Sequence, residues 1–110
     1  MTDAGKSDVK ITVIKKLSPK DVFGDNLPWP IAGDPSRKCS WLNEGDEFII
    51  SGKTGGCPEG FCGWAFADIQ RDITHLRLGG SYPWQEPEGK RICCCTDGLR
   101  PVFFKLERVS

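Results

Sequence analysis

Phe61-Cys62-Gly63-Trp64-Ala65-Phe66-Ala67-Asp68-Ile69-Gln70-Arg71-Asp72-Ile73-Thr74-His75-Leu76-Arg77-Leu78 is the clearest stretch of helical periodicity in the chain. Phe61, Ala65, Ile69, Ile73 and Leu76 recur at spacings of four and three, so a helix gathers them into one apolar stripe. The spacing predicts a helix that begins near Pro58 or Phe61 and runs to Leu78, with Gly79 and Gly80 ending it. Trp64, Asp68, Asp72 and His75 fall on the neighbouring face.

Such a stripe has to be buried against something, and the flanking sequence offers strands. Val9, Ile11 and Val13 alternate with Lys10 and Thr12 at the period of a half-buried strand ending near Lys16. Glu47 to Ser51, with Phe48, Ile49 and Ile50, reads as a second strand followed by a turn over Lys53 to Gly56. Arg91 to Cys95 and Val102 to Val109 read as two more, joined as a hairpin through Thr96, Asp97, Gly98, Leu99, Arg100 and Pro101. Ser18, Pro19 and Asp21 suit the N-cap, first and third positions of a short helix that stops at Gly24. The expected fold is therefore a small single α+β domain of about four mostly antiparallel strands, with one main helix packed on the sheet. It occupies residues 9–110, after a disordered tail over residues 1–8.

Fifteen Lys and Arg balance fifteen Asp and Glu, so there is no net field to attract a phosphate backbone or an anionic membrane. Neither a nucleic-acid partner nor a membrane is expected. Met1 to Lys10 is polar, and no apolar run reaches the length of a membrane span. The chain reads as cytoplasmic. Between Asp25 and Gly45 the composition turns to Pro, Gly, Asn and Trp, an irregular stretch of the kind that is functional or ordered by what it covers. Trp29 and Trp41 within it argue for covering.

The six cysteines carry the chemistry. A reducing compartment keeps thiols free, and Cys93, Cys94 and Cys95, being consecutive, cannot pair neatly among themselves. In a strand Cys93 and Cys95 face one side while Cys94 faces the other. Sulfurs from this strand, from Cys57 and Cys62 and from the Cys39 loop could meet as a tetrahedral site for zinc or iron. The alternative is that they are small buried hydrophobes.

Cys62, at or before the first turn of the long helix, sits where backbone N–H groups and the helix dipole favour a thiolate, which makes it the candidate nucleophile. His75, the only histidine, lies thirteen residues on and cannot be its base within one helix; it reads as a surface or helix-end residue. Asp68, beside Trp64, is the candidate general acid or base, against a solvated face shared with Arg71 and Arg77. Arg100 can clamp an anion or hold its turn through Asp97. Trp29, Trp64 and Trp84, with Tyr82, can line an aromatic pocket, Trp64 and Trp84 being the candidate cofactor contacts.

These residues also form an ordered set of motifs. Lys10 to Ile14 is followed by Cys39, by Glu44 to Phe48 and by Pro58-Glu59-Gly60-Phe61-Cys62-Gly63-Trp64-Ala65 with Asp68 and Ile69. Gly79-Gly80, Pro83-Trp84 and Cys94-Cys95-Thr96-Asp97-Gly98-Leu99-Arg100-Pro101-Val102 complete it, leading to Leu106-Glu107-Arg108. Over about residues 9 to 108 the chain resembles a family of small, largely uncharacterised bacterial and archaeal proteins. The resemblance implies that Cys39, Cys62, Cys94 and Cys95 belong to a shared pattern, whereas Cys57 and Cys93 are particular to this chain. It carries over architecture and candidate residues, and no reaction.

Three expectations follow. In the first, Cys39, Cys62, Cys94 and Cys95 converge on a thiophilic metal such as zinc or iron, or on an iron–sulfur cluster, in a redox context with a redox partner protein. The second is a thiol-dependent enzyme using Cys62, Asp68 and Arg100 on a small-molecule ligand, with the tryptophan-rich loop as a lid. The third is an interaction module whose cysteines are structural. Aromatic loops can also complete sites across subunit boundaries, which keeps a homo-oligomer in view.

Overall fold

The alternation of Val9, Ile11 and Val13 becomes one of the two central strands of a four-stranded antiparallel sheet. A computed structural model describes residues 6–109. Its elements are β1 (Val9–Lys16), α1 (Pro19–Phe23), β2 (Glu47–Ile50), α2 (Gly63–Arg77), β3 (Lys90–Cys94) and β4 (Val102–Arg108). The strand order is β2-β1-β4-β3, with every neighbouring pair antiparallel. The expected α+β class, strand set and main helix are what the chain forms.

Because side chains alternate across each strand, one set of residues faces α2. Val9, Ile11 and Val13 of β1, Ile50 of β2 and Val102, Phe104 and Leu106 of β4 are buried there. They meet Ala65, Ile69, Ile73 and Leu76, the stripe read from the helical period. Phe61 closes one end of this core, edge-on to Phe48 at 5.0 Å and 5.4 Å from Phe104. The opposite face of the sheet is open: Ile49 and Ile92 are exposed, and Lys10, Lys90 and Lys105 surround Glu107.

The helix ends show why the boundaries fall where they do. Ser18 and Asp21 form a reciprocal capping box at α1, satisfying two backbone donors at once. These bonds also hold the Asp21 carboxyl below its ordinary range. At the C-terminal end of α2 the Arg108 guanidinium donates to the carbonyls of Leu76 and Gly80, placing a cation where helix carbonyls point outward.

Much of the expected tail over residues 1–8 lies outside the described residues. Within them the Ser7 amide donates to the Arg77 carbonyl, and Asp8 accepts from the Gly52 amide. No helix among the described residues is long and apolar enough to cross a membrane.

Candidate functional site

A cleft of about 950 Å3 opens at the N-terminal end of α2, walled by three separate segments. The first is the irregular loop, which contributes Trp29, Cys39, Trp41 and Leu42. The second is the start of α2, with Phe61, Cys62, Gly63 and Trp64. The third is the β3–β4 turn from Cys95 to Arg100.

Polar anchors hold these segments together. Lys16 on β1 donates through Nζ to the carbonyls of Cys39 and Leu42, at 2.8 and 2.7 Å, and fixes the part of the loop that carries Trp41. Arg100 Nε donates to the Arg37 carbonyl at 3.0 Å, joining the turn to the loop. Asp68 accepts from both the amide and the hydroxyl of Thr96, which joins the turn to α2. Trp64 Nε1 donates to the same hydroxyl at 3.3 Å. The Asp97 carboxylate turns back on its own backbone, Oδ1 accepting from the amides of Leu99 and Arg100.

Leu42, 2 % exposed, is the residue with which the loop covers the core. Trp29, Trp41 and Trp64 are 68 %, 78 % and 69 % exposed, so most of their ring area is not spent on the core. The covering role read for Trp29 and Trp41 is thus corrected: Leu42 covers, and the tryptophans rim the cleft.

The sequence-derived candidates divide. Cys39, Cys62, Trp64, Cys95 and Arg100 line the one cleft. Cys94 does not, because strand alternation turns it toward the open face of the sheet, where it is exposed. Burial and the nearby Cys95 and Asp68 push its thiol up. Of the four cysteines expected to converge, Cys39, Cys62 and Cys95 line the cleft and Cys94 does not. Among the described residues no three His, Cys, Asp or Glu side chains come together as a group that could hold a metal ion.

Cys62 occupies the N-cap position of α2, and its side chain bonds none of the first-turn amides. Cys95 is 8 % exposed and its sulfur accepts from the Val102 amide, closing the hairpin. Asp68 is not among the residues that line the cleft; both its oxygens are engaged by Thr96, a positioning arrangement. Arg100 contributes to the turn through its backbone amide, not through an ion pair with Asp97.

Trp84 and Tyr82 stand apart from the cleft, in a cluster that sequence reasoning missed. Asp72, read on the face that neighbours the apolar stripe, is 6 % exposed and accepts a hydrogen bond from the Tyr82 hydroxyl. The Arg91 guanidinium lies 4.3 Å over the Tyr82 ring, with Nε 3.5 Å from Asp72 Oδ1. Trp84 meets Tyr82 edge-on at 5.5 Å, and the His75 ring packs on Tyr82 at 4.8 Å. Burial, then the hydrogen bond and negative charge of Asp72, push the Tyr82 phenol up to about 12. Burial and the same charge push the Cys93 thiol up to about 12. The cluster braces α2 against β3. His75, exposed and held by the Ser81 carbonyl, keeps the helix-end role read from sequence.

Comparisons with protein-family models, curated proteins and solved structures give no match to this chain.

Proposed function

We propose that this protein is a binding module for a small, largely apolar molecule, and that the tryptophan-rimmed cleft is its site. One observation carries the reading: three segments distant in sequence converge on a single apolar cleft whose indoles are mostly exposed. Exposed aromatic area of this kind contributes little to folding and is costly to leave in water, so a ligand that covers it recovers a hydrophobic gain. The volume of about 950 Å3 falls in the range of small-molecule pockets, roughly 300–1,000 Å3. Lys16, Asp68 and Arg100 fasten the walls before any ligand arrives, which lowers the ordering cost of binding.

The test uses the neutral fluorophore N-phenyl-1-naphthylamine. Saturable binding to the native protein with one site per chain is expected, and it is weakened at least about fivefold by Trp41→Ala or Trp29→Ala with unchanged urea unfolding. Absence of saturable binding to the native chain sinks the reading.

Thiol chemistry is a second reading, favoured by Cys62 and Arg100 lining the same cleft. Its measurement is alkylation of Cys62 by iodoacetamide, followed by peptide mass spectrometry with and without the bound naphthylamine. Alkylation of Cys62 no faster than that of Cys57 counts against a specially reactive sulfur.

A further inference from the structure

We infer that the cleft takes an aromatic or branched-aliphatic carboxylate, its apolar body against Trp29, Trp41 and Trp64 and its acid group on Arg100. The inference deepens the binding-module reading and rests on it.

Arg100 is the only lysine or arginine among the residues that line the cleft. Its Nε is fixed by the Arg37 carbonyl, which restrains the guanidinium plane. Among the described residues no carboxylate forms an ion pair with it, and neither Nη nitrogen has a hydrogen-bond partner. The nearest candidate in sequence, Asp97, accepts from the backbone of its own turn instead. A cation held at one nitrogen and open at the other two, beside apolar walls, is an arrangement suited to two parallel bonds from a planar carboxylate.

The neighbouring wall agrees in sign. α2 opens on Cys62 with no side-chain cap and with no acidic residue in its first turn. Among the described residues nothing accepts from the amides of Gly63, Trp64 or Ala65. Gly63 and Gly98, both in the lining, have open space where a Cβ would stand, so the backbone itself is accessible from the cleft. Trp29 and Trp41 add two indole N–H groups without a partner among the described residues. The Arg100 Nη groups, the first-turn amides of α2 and the two indole N–H groups are donors, and a ligand that matches them offers acceptors. Asp97 in the lining and Asp34, whose carboxyl the Arg100 charge helps to hold below its ordinary range, are the opposing charges, and their repulsion is the cost such a ligand meets.

Displacement of N-phenyl-1-naphthylamine by 2-naphthoate and by 2-naphthamide, which share a ring system and differ in charge, tests the inference. The carboxylate is expected to displace at least about tenfold better than the amide in low salt. Arg100→Gln is expected to abolish that preference, read as the ratio of acid to amide displacement within the variant because the bond to Arg37 is lost as well, Arg100→Lys to keep part of it, and Asp97→Asn to enlarge it. Equal displacement by acid and amide overturns the inference while the cleft reading stands. A preference that survives Arg100→Gln overturns it too, whereas a native protein that binds none of the three probes removes the cleft reading itself. Urea unfolding of each variant separates lost binding from lost folding.

Discussion

The carboxylate of Asp68 receives two hydrogen bonds from one residue, Thr96: the amide donates to Oδ2 at 2.8 Å and the hydroxyl to Oδ1 at 2.9 Å. The turn that carries Arg100 is thereby fastened to the helix that carries Cys62 and Trp64. Asp68→Asn replaces an acceptor with a donor against a donating amide. It is expected to cost about 1–2 kcal/mol of stability, less than a buried charged bond because Thr96 is exposed. Urea unfolding reads the loss, and naphthylamine affinity is expected to fall with it because one wall of the cleft is freed.

Tyr82 is the only tyrosine, so phenolate absorbance reports it alone. Its transition is expected near pH 12, where an unperturbed phenol titrates near 10. The folded pKa is raised, so the unfolded chain loses its proton first and gains relative stability as the solution becomes alkaline. Stability from this group is full below about pH 10 and is lost as pH rises through about 12. Tyr82→Phe is expected to remove that part of the alkaline loss and to leave Asp72 with only Arg91. A phenolate transition near pH 10 would contradict the burial and the Asp72 bond together.

Phe104 and Trp41 are both large aromatics, with opposite expected consequences. Phe104 is fully buried between α2 and the sheet, and Phe104→Ala is expected to cost about 3–5 kcal/mol. Trp41 is 78 % exposed, and Trp41→Ala is expected to stay within about 0.5 kcal/mol while probe binding weakens at least about fivefold. Thermal unfolding and probe titration on the same two variants decide it.

Two glycines make a matched pair. At Gly52 an added Cβ would stand 2.6 Å from the Ser7 backbone carbon, where nothing flexible can yield. Gly52→Ala is expected to destabilise by about 1–3 kcal/mol. At Gly63, the first residue of α2, the Cβ meets open space, so Gly63→Ala is expected to stabilise by about 0.4–1 kcal/mol. Chemical unfolding of the two variants should therefore move in opposite directions.

The six thiols are expected to separate by accessibility when the native protein is alkylated at pH 8. Cys57 and Cys94 are exposed, and Cys95 is buried behind the hairpin closure. Cys93, with its thiol pushed up to about 12 by burial and by Asp72, is expected to remain unmodified until the protein unfolds. Early labelling of Cys93 by iodoacetamide would mean that β3 does not lie on α2 as described.

The sheet and its helix were legible because each element advertises its own period. Val9, Ile11 and Val13 repeat by two, Phe61, Ala65, Ile69, Ile73 and Leu76 by four and three, and in both cases burial follows the repeat. The capping box at Ser18 and Asp21 was equally local, spanning three residues. The same alternation already separated Cys94 from Cys95, yet the motif they share drew them into one ligand set. The cleft had weaker signals, since Trp29 and Trp41 lie in a stretch with no period to say whether a ring faces the core or solvent. Leu42, beside Trp41, was passed over for the same reason.

The order of residues along the chain determined the elements, their faces and the core, because those depend on neighbours a few positions away. Only the tertiary structure decided which of the singled-out groups meet. Arg100 reaches the Arg37 carbonyl across 63 positions, Thr96 reaches Asp68 across 28, and Tyr82 takes Asp72 out of solvent across 10. Bonds that span such separations are set by how the sheet, helix and loop pack against one another, and no local repeat encodes them.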